Sequence, residues 1–133
     1  MGMTPRFAAL SALPELAHCS NSEISSLLSS VDEIRLPAGA VVARAGRYCT
    51  ELLVVMEGKL RTTALRIGPG ESLGWAAMWD RAVNQATVIA ESDVRLLVIG
   101  HAQFRAFKAV AYPPLLRLGE GRLADQQVRG VAL

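Results

Sequence analysis

The chain has 133 residues, 51% of them hydrophobic and 20% charged, and its 14 basic and 12 acidic residues leave a net charge of +2. That length suits one domain with one core, the apolar fraction excludes general disorder, and the scattered charges include no Lys or Arg run that could track a phosphate backbone. The two cysteines, Cys19 and Cys49, are too few for a disulfide framework and lack the paired spacing of a zinc or redox centre. The N-terminal apolar stretch is broken by Pro14 and Glu15, and position 6 holds Arg where a myristoylation signal needs Ser or Thr. A cytoplasmic protein with neither a membrane nor a nucleic-acid partner is expected.

In chain order, Phe7, Leu10, Leu13 and Leu16 have helical spacing that Pro14 interrupts, which predicts one or two short helical turns. Ser20 or Asn21 can cap a second helix with Glu23 in its first turn and Ile24, Leu27, Leu28 and Val31 as its buried stripe. From Glu33 the period becomes two: Ile34 and Leu36 alternate with Glu33 and Arg35 up to the turn at Pro37-Ala38-Gly39. Leu52 to Met56 is an unbroken apolar run ending at Glu57-Gly58, the pattern of a strand covered on both faces. Short strands follow at 60–63, 64–67, 87–90 and 94–99, and after Gly100 the helical spacing of Phe104, Phe107 and Val110 predicts a closing helix. Many short strands with frequent turn signals imply a barrel or sandwich.

Val42-Ala43-Arg44-Ala45-Gly46 followed by Leu52 to Leu60 resembles the first signature of cyclic-nucleotide-binding domains. Gly68-Pro69-Gly70-Glu71-Ser72-Leu73-Gly74 resembles the entry to that family's phosphate-binding cassette, and Asn84-Gln85-Ala86-Thr87-Val88-Ile89-Ala90 its exit. The resemblance implies a mainly β fold with flanking α: a jelly-roll-like β-roll of about eight strands with N-terminal helices and short C-terminal helices that move on ligand binding. The whole chain, 1–133, is then one domain, with the roll over about 33–100 and helical flanks at 7–31 and 101–128.

Two positions depart from the family pattern. Where the family has Phe-Gly-Glu and, further on, an Arg, this chain has Leu73-Gly74-Trp75 and Asn84 in a loop of preserved length. The family's Arg offers phosphate a charged, forked donor worth about 1.5–3 kcal/mol per bond, and Asn84 carries no charge. The family's Glu accepts from the ribose, whereas Trp75 has no acceptor and brings a large ring that would fill or re-task the pocket. Gly74 and the backbone at Trp75 and Ala76 could still face an anion, and Arg81 could swing in to replace the missing Arg. The candidate ligand pocket is therefore Leu73, Gly74, Trp75, Ala76, Arg81, Asn84, Gln85 and Ala86, with no catalytic or metal-ligating residue. Trp75 and Trp79, four apart, share a face of any cassette helix and would line either an apolar pocket or the core. Only Lys59 to Pro69 separate Gly58 from Gly70, which implies short strands and a tight turn, and an exposed sheet edge leaves a homodimer open.

His18 and His101 flank the roll and read as surface or helix-cap residues, so a metal-dependent enzyme lacks its donor cluster. Three readings follow. The first is a stand-alone regulatory domain, not an enzyme, that has no cofactor, does not bind cAMP or cGMP tightly, and acts by sensing an unknown small ligand or binding a protein partner. The second is a working nucleotide sensor using Arg81, Gln85 and backbone N–H groups. The third is a homodimeric interaction protein with no small ligand. The Leu-rich piece Leu115, Leu116, Leu118 and Leu123 is expected to pack on the roll.

Overall fold

The structure is a computed structural model and describes residues 4–111. The expectations for the leucine-rich piece and for the remainder of the 101–128 flank lie outside these residues. Thr4 caps helix α1 (Pro5–Ser11), Pro14–Leu16 forms a 3-10 turn, and α2 spans Asn21–Leu28. Ser20 and Glu23 form a reciprocal capping box: the Glu23 N–H donates to Ser20 Oγ at 3.2 Å and the Ser20 N–H to Glu23 Oε1 at 2.8 Å.

Among the described residues ten strands follow, all paired antiparallel: β1 (Asp32–Leu36), β2 (Val41–Ala43), β3 (Tyr48–Cys49), β4 (Glu51–Glu57), β5 (Leu60–Arg61), β6 (Arg66–Ile67), β7 (Ser72–Leu73), β8 (Ala82–Val83), β9 (Val88–Ala90) and β10 (Val94–Gly100). Helix α3 (Trp75–Trp79) lies between β7 and β8, and α4 (His101–Ala111) follows β10 directly. The strands form one sheet in the order β1-β10-β4-β7, a second in the order β2-β9-β5-β6, and a separate ladder of β3 with β8. The count exceeds the expected eight by the two short strands of the separate ladder, β3 and β8.

The run in β4 is apolar throughout because each of its faces meets a different core. Leu52 and Val54, with Leu97 and Ile99 of β10, pack on Leu10, Leu16, Ile24, Leu27 and Phe104 of the helical layer. Leu53 and Val55, with Leu96 and Val98, face the inside of the roll against Leu60, Ile67 and Val88. Period-two alternation thus divides one apolar strand between two cores.

The edge strand β1 departs from the expected alternation. Ile34 is 37% exposed, while Glu33 turns partly inward and pairs with Arg6 at 3.0 Å and Arg95 at 3.6 Å. β5 and β6 form the short hairpin that the Gly58–Gly70 spacing implies: Thr62 Oγ1 accepts from the N–H groups of Ala64 and Leu65 at 3.1 and 3.0 Å, and the Thr62 N–H donates to Leu65 O.

Candidate functional site

The cassette begins where β7 pairs with β4, with Leu73 opposite Leu53. Gly74 follows with φ +99°, and a Cβ there would collide with the Glu51 carbonyl oxygen, so only glycine lets the chain turn this close to β4. Helix α3 follows, with Trp75 to Met78 buried, and leads into β8, which pairs with β3 through Tyr48–Val83 and Cys49–Ala82.

Trp75 does not fill the nucleotide side of the roll. It is 1% exposed, belongs to the helical-layer core, and meets Phe104 of α4 edge-on with ring centroids 5.7 Å apart. Its Nε1–H donates to the buried Ser72 Oγ at 2.8 Å. The first turn of α3 sets this direction, and the expectation that the ring occupies the pocket is corrected accordingly. Trp79 flanks the same Phe104 ring at 5.8 Å, so the pair covers the core instead of an apolar ligand pocket. Ala76, Ala77 and Met78 are buried beside them.

Asn84 is buried and bound into the facing loop. Its Nδ2–H donates to Arg44 O at 3.0 Å, its backbone N–H to Arg47 O at 2.8 Å, and its carbonyl accepts from Gly46 N at 2.9 Å. Its Oδ1 is buried without a partner. Thr87 Oγ1 accepts from the Ala45 N–H at 3.1 Å, so two side chains of the cassette exit fasten the same loop. The Gln85 side chain folds back on its own strand, with Nε2–H donating to Val83 O at 3.3 Å, and Ala86 is half-buried.

Two clefts meet at β3. The inner one, about 90 Å³, lies inside the roll against Leu53, Leu73 and Asn84, and among the described residues the one charged residue lining it is Glu51. The outer one, about 400 Å³, is bounded by Tyr48, Cys49, Thr50, Ala77 and His101, with Arg81 and Arg105 supplying the charge. Arg81 therefore stands on the outer side, its guanidinium 5.0 Å from the centre of the Tyr48 ring, and not among the residues around Asn84. The sequence reading missed Tyr48, His101 and Arg105, which come together because β3 pairs with β8 and because β10 pairs with β4, Gly100 opposite Glu51, so that the His101 N–H donates to Thr50 O at 3.1 Å at the start of α4. Cys49 borders both clefts. Burial raises its thiol above the ordinary range and the nearby Glu51 carboxylate adds to the rise, against an opposing hydrogen bond with the Glu51 backbone.

Helix α3 is coupled to α4 beyond the aromatic contacts. Lys108 Nζ donates to Met78 O at 3.0 Å and lies 5.1 Å from the centre of the Trp79 ring. Burial, with Arg105 one turn away as the second cause, lowers the Lys108 pKa. Among the described residues no helix is long and apolar enough to cross a membrane, and no group of three or more His, Cys, Asp or Glu could hold a metal ion.

The roll, its helical layer and the glycine-entered cassette define a cyclic-nucleotide-binding type of domain. Residues 33–109 match the sequence model of the cyclic nucleotide-binding domain, which is more than half of the chain, and the chain belongs to that family. Among solved structures it is similar to the N-terminal domain of a transcriptional regulator from Streptomyces coelicolor A3(2), at TM-score 0.73 and 26% identity over 92% of this chain and 91% of that one. A cyclic nucleotide-binding-like protein from Brucella abortus bv. 1 str. 9-941 shares the fold at TM-score 0.71 and 17% identity, over 78% and 97% of the two chains. A putative potassium channel protein of Rhodopseudomonas palustris (strain ATCC BAA-98 / CGA009) is 27% identical over 111 residues. Those residues cover 77% of this chain and 27% of the channel protein, so the chain matches about a quarter of that relative's length.

Proposed function

We propose that this is a regulatory domain, without catalytic activity, whose cassette does not bind cAMP or cGMP tightly and which responds instead to another ligand or to a protein partner. The observation that carries this reading is the charge at the inner cleft: among the described residues its one charged lining residue is Glu51, an acid, where a cyclic phosphate needs a cation. Three features support it. Asn84 is committed to Arg44, Trp75 is committed to the core, and the cleft of about 90 Å³ is far below the ~300–1,000 Å³ of ordinary small-molecule pockets.

The output runs through α3 and α4. Trp75, Trp79 and Met78 are held by Phe104 and Lys108, so whatever displaces the cassette helix must move or release α4. A transcriptional regulator and a putative channel among the similar proteins fit a module that biases an attached function. Isothermal titration calorimetry with cAMP and cGMP tests the reading: no saturable heat is expected through the high micromolar range. Sub-micromolar binding of either nucleotide overturns it and restores second-messenger sensing.

A further inference from the structure

The outer cleft has the charge that the inner one lacks. Arg81 enters it from the end of the cassette helix, and His101 and Arg105 enter it one turn apart on α4. Among the described residues no Asp or Glu lines it, and neither Arg81 nor Arg105 has an acidic partner. Arg105 Nη2 lies 3.3 Å from His101 Nδ1. A guanidinium only donates, so this contact makes Nδ1 the acceptor and places the imidazole proton on Nε2, a further donor beside the two guanidinium groups. The cleft's volume of about 400 Å³ lies within the ~300–1,000 Å³ range of small-ligand pockets.

We propose that this outer cleft binds the phosphate group of a small molecule, held by Arg81, Arg105 and the His101 Nε2–H. Two guanidinium forks and a third donor suit the charge and the several oxygens of a phosphate dianion better than a single carboxylate. A phosphate in this position bridges Arg81 beside α3 to α4, and so bears on the two elements whose contact carries the output. That bearing on α3 and α4 rests on the output route proposed above, whereas the phosphate site itself is argued from the residues lining the outer cleft.

The test is a two-dimensional NMR titration of the chain with pyrophosphate, and separately with citrate, at 150 mM NaCl to suppress non-specific surface attraction. Saturable shifts with pyrophosphate are expected at Tyr48, Arg81, His101 and Arg105, with at least tenfold weaker binding in the Arg81→Ala/Arg105→Ala variant and unchanged binding in Asn84→Ala. All of these side chains except Asn84 lie at the surface or partly so, and unshifted core methyl resonances establish that the double variant is folded. The proposal is overturned if pyrophosphate gives no saturable shift, if citrate binds more tightly, if the double variant binds equally well, or if the shifts centre on Asn84 and Gly46. The first three outcomes concern the outer cleft alone; shifts centred on Asn84 and Gly46 would instead place the anion at the inner cleft, which the calorimetry with cAMP and cGMP tests separately.

Discussion

The indole N–H of Trp75 donates to the Ser72 hydroxyl at 2.8 Å, and both side chains are buried where the cassette meets the helical layer. Position 75, a ribose-binding glutamate in the family pattern, here serves the core that joins α3 to α4. Ser72→Ala leaves the indole N–H buried without a partner, and the expected cost is about 1–3 kcal/mol. Trp75→Glu, which reinstates the family's residue, buries a carboxylate against Phe104 and is expected to cost more than Ser72→Ala without conferring nucleotide binding. Thermal unfolding of the two variants checks the ranking. An unchanged melting temperature for Trp75→Glu is incompatible with the core assignment.

Gly74→Ala tests the turn that aims α3. The new Cβ would meet the Glu51 carbonyl and the Leu52 Cα while holding φ at +99°. Left-handed backbone alone costs a non-glycine residue about 1–2 kcal/mol, and the collision adds to it. Gly70→Ala is the control: it has φ +85° with open space around the added methyl, so it pays only the conformational part. Urea midpoints should fall more for Gly74→Ala than for Gly70→Ala, and equal midpoints would show that β4 yields easily.

The features readable from sequence were those encoded locally. The Ser20–Glu23 cap, the Gly58–Gly70 hairpin and the apolar run of β4 each depend on residues a few positions apart, and each has its expected form. The direction of Trp75 was not readable, because an aromatic at the start of a short helix can serve the roll or the helical layer with the same spacing. Only the packing of Phe104, far along the chain, decides between them. Ile34 misled for a related reason: on an edge strand, ion pairs from Glu33 to Arg6 and Arg95 compete with burial of the apolar neighbour. The outer cleft was invisible because Tyr48, Arg81, His101 and Arg105 come from three separate segments.

Asn84→Asp probes the buried amide with almost no change of volume. At neutral pH the variant replaces the Nδ2–H donor by a carboxylate facing the Arg44 carbonyl, whereas the protonated acid can still donate to it. Burial raises the folded-state pKa of the new carboxyl above its unfolded value of about 3.9. Stability is therefore fully present below that unfolded value and is lost as pH rises through the folded one. The stability gap between this variant and the parent should be wider at pH 8 than at pH 5 in urea titrations. A gap independent of pH would mean that Asn84 does not donate to Arg44 in a water-poor setting.

Cys49 reports on the wall between the two clefts. Its thiol is held above the ordinary range first by burial and then by the Glu51 carboxylate, so at neutral pH it has less thiolate than a free cysteine. In a Cys19→Ser background, alkylation by iodoacetamide at pH 7.5 should be slower than for an unfolded peptide of the same local sequence, with the rate rising further into the alkaline range. The linkage has a definite sign: a raised folded-state pKa gives stability that is present below the unfolded thiol value of about 8.5 and is lost as pH rises through the folded value. Glu51→Gln removes the charged contribution and leaves the burial, so it should shift the alkylation profile part of the way back toward lower pH. A profile unmoved by Glu51→Gln would place the Glu51 carboxylate out of electrostatic reach of the sulfur, and with it the negative charge assigned to the inner cleft.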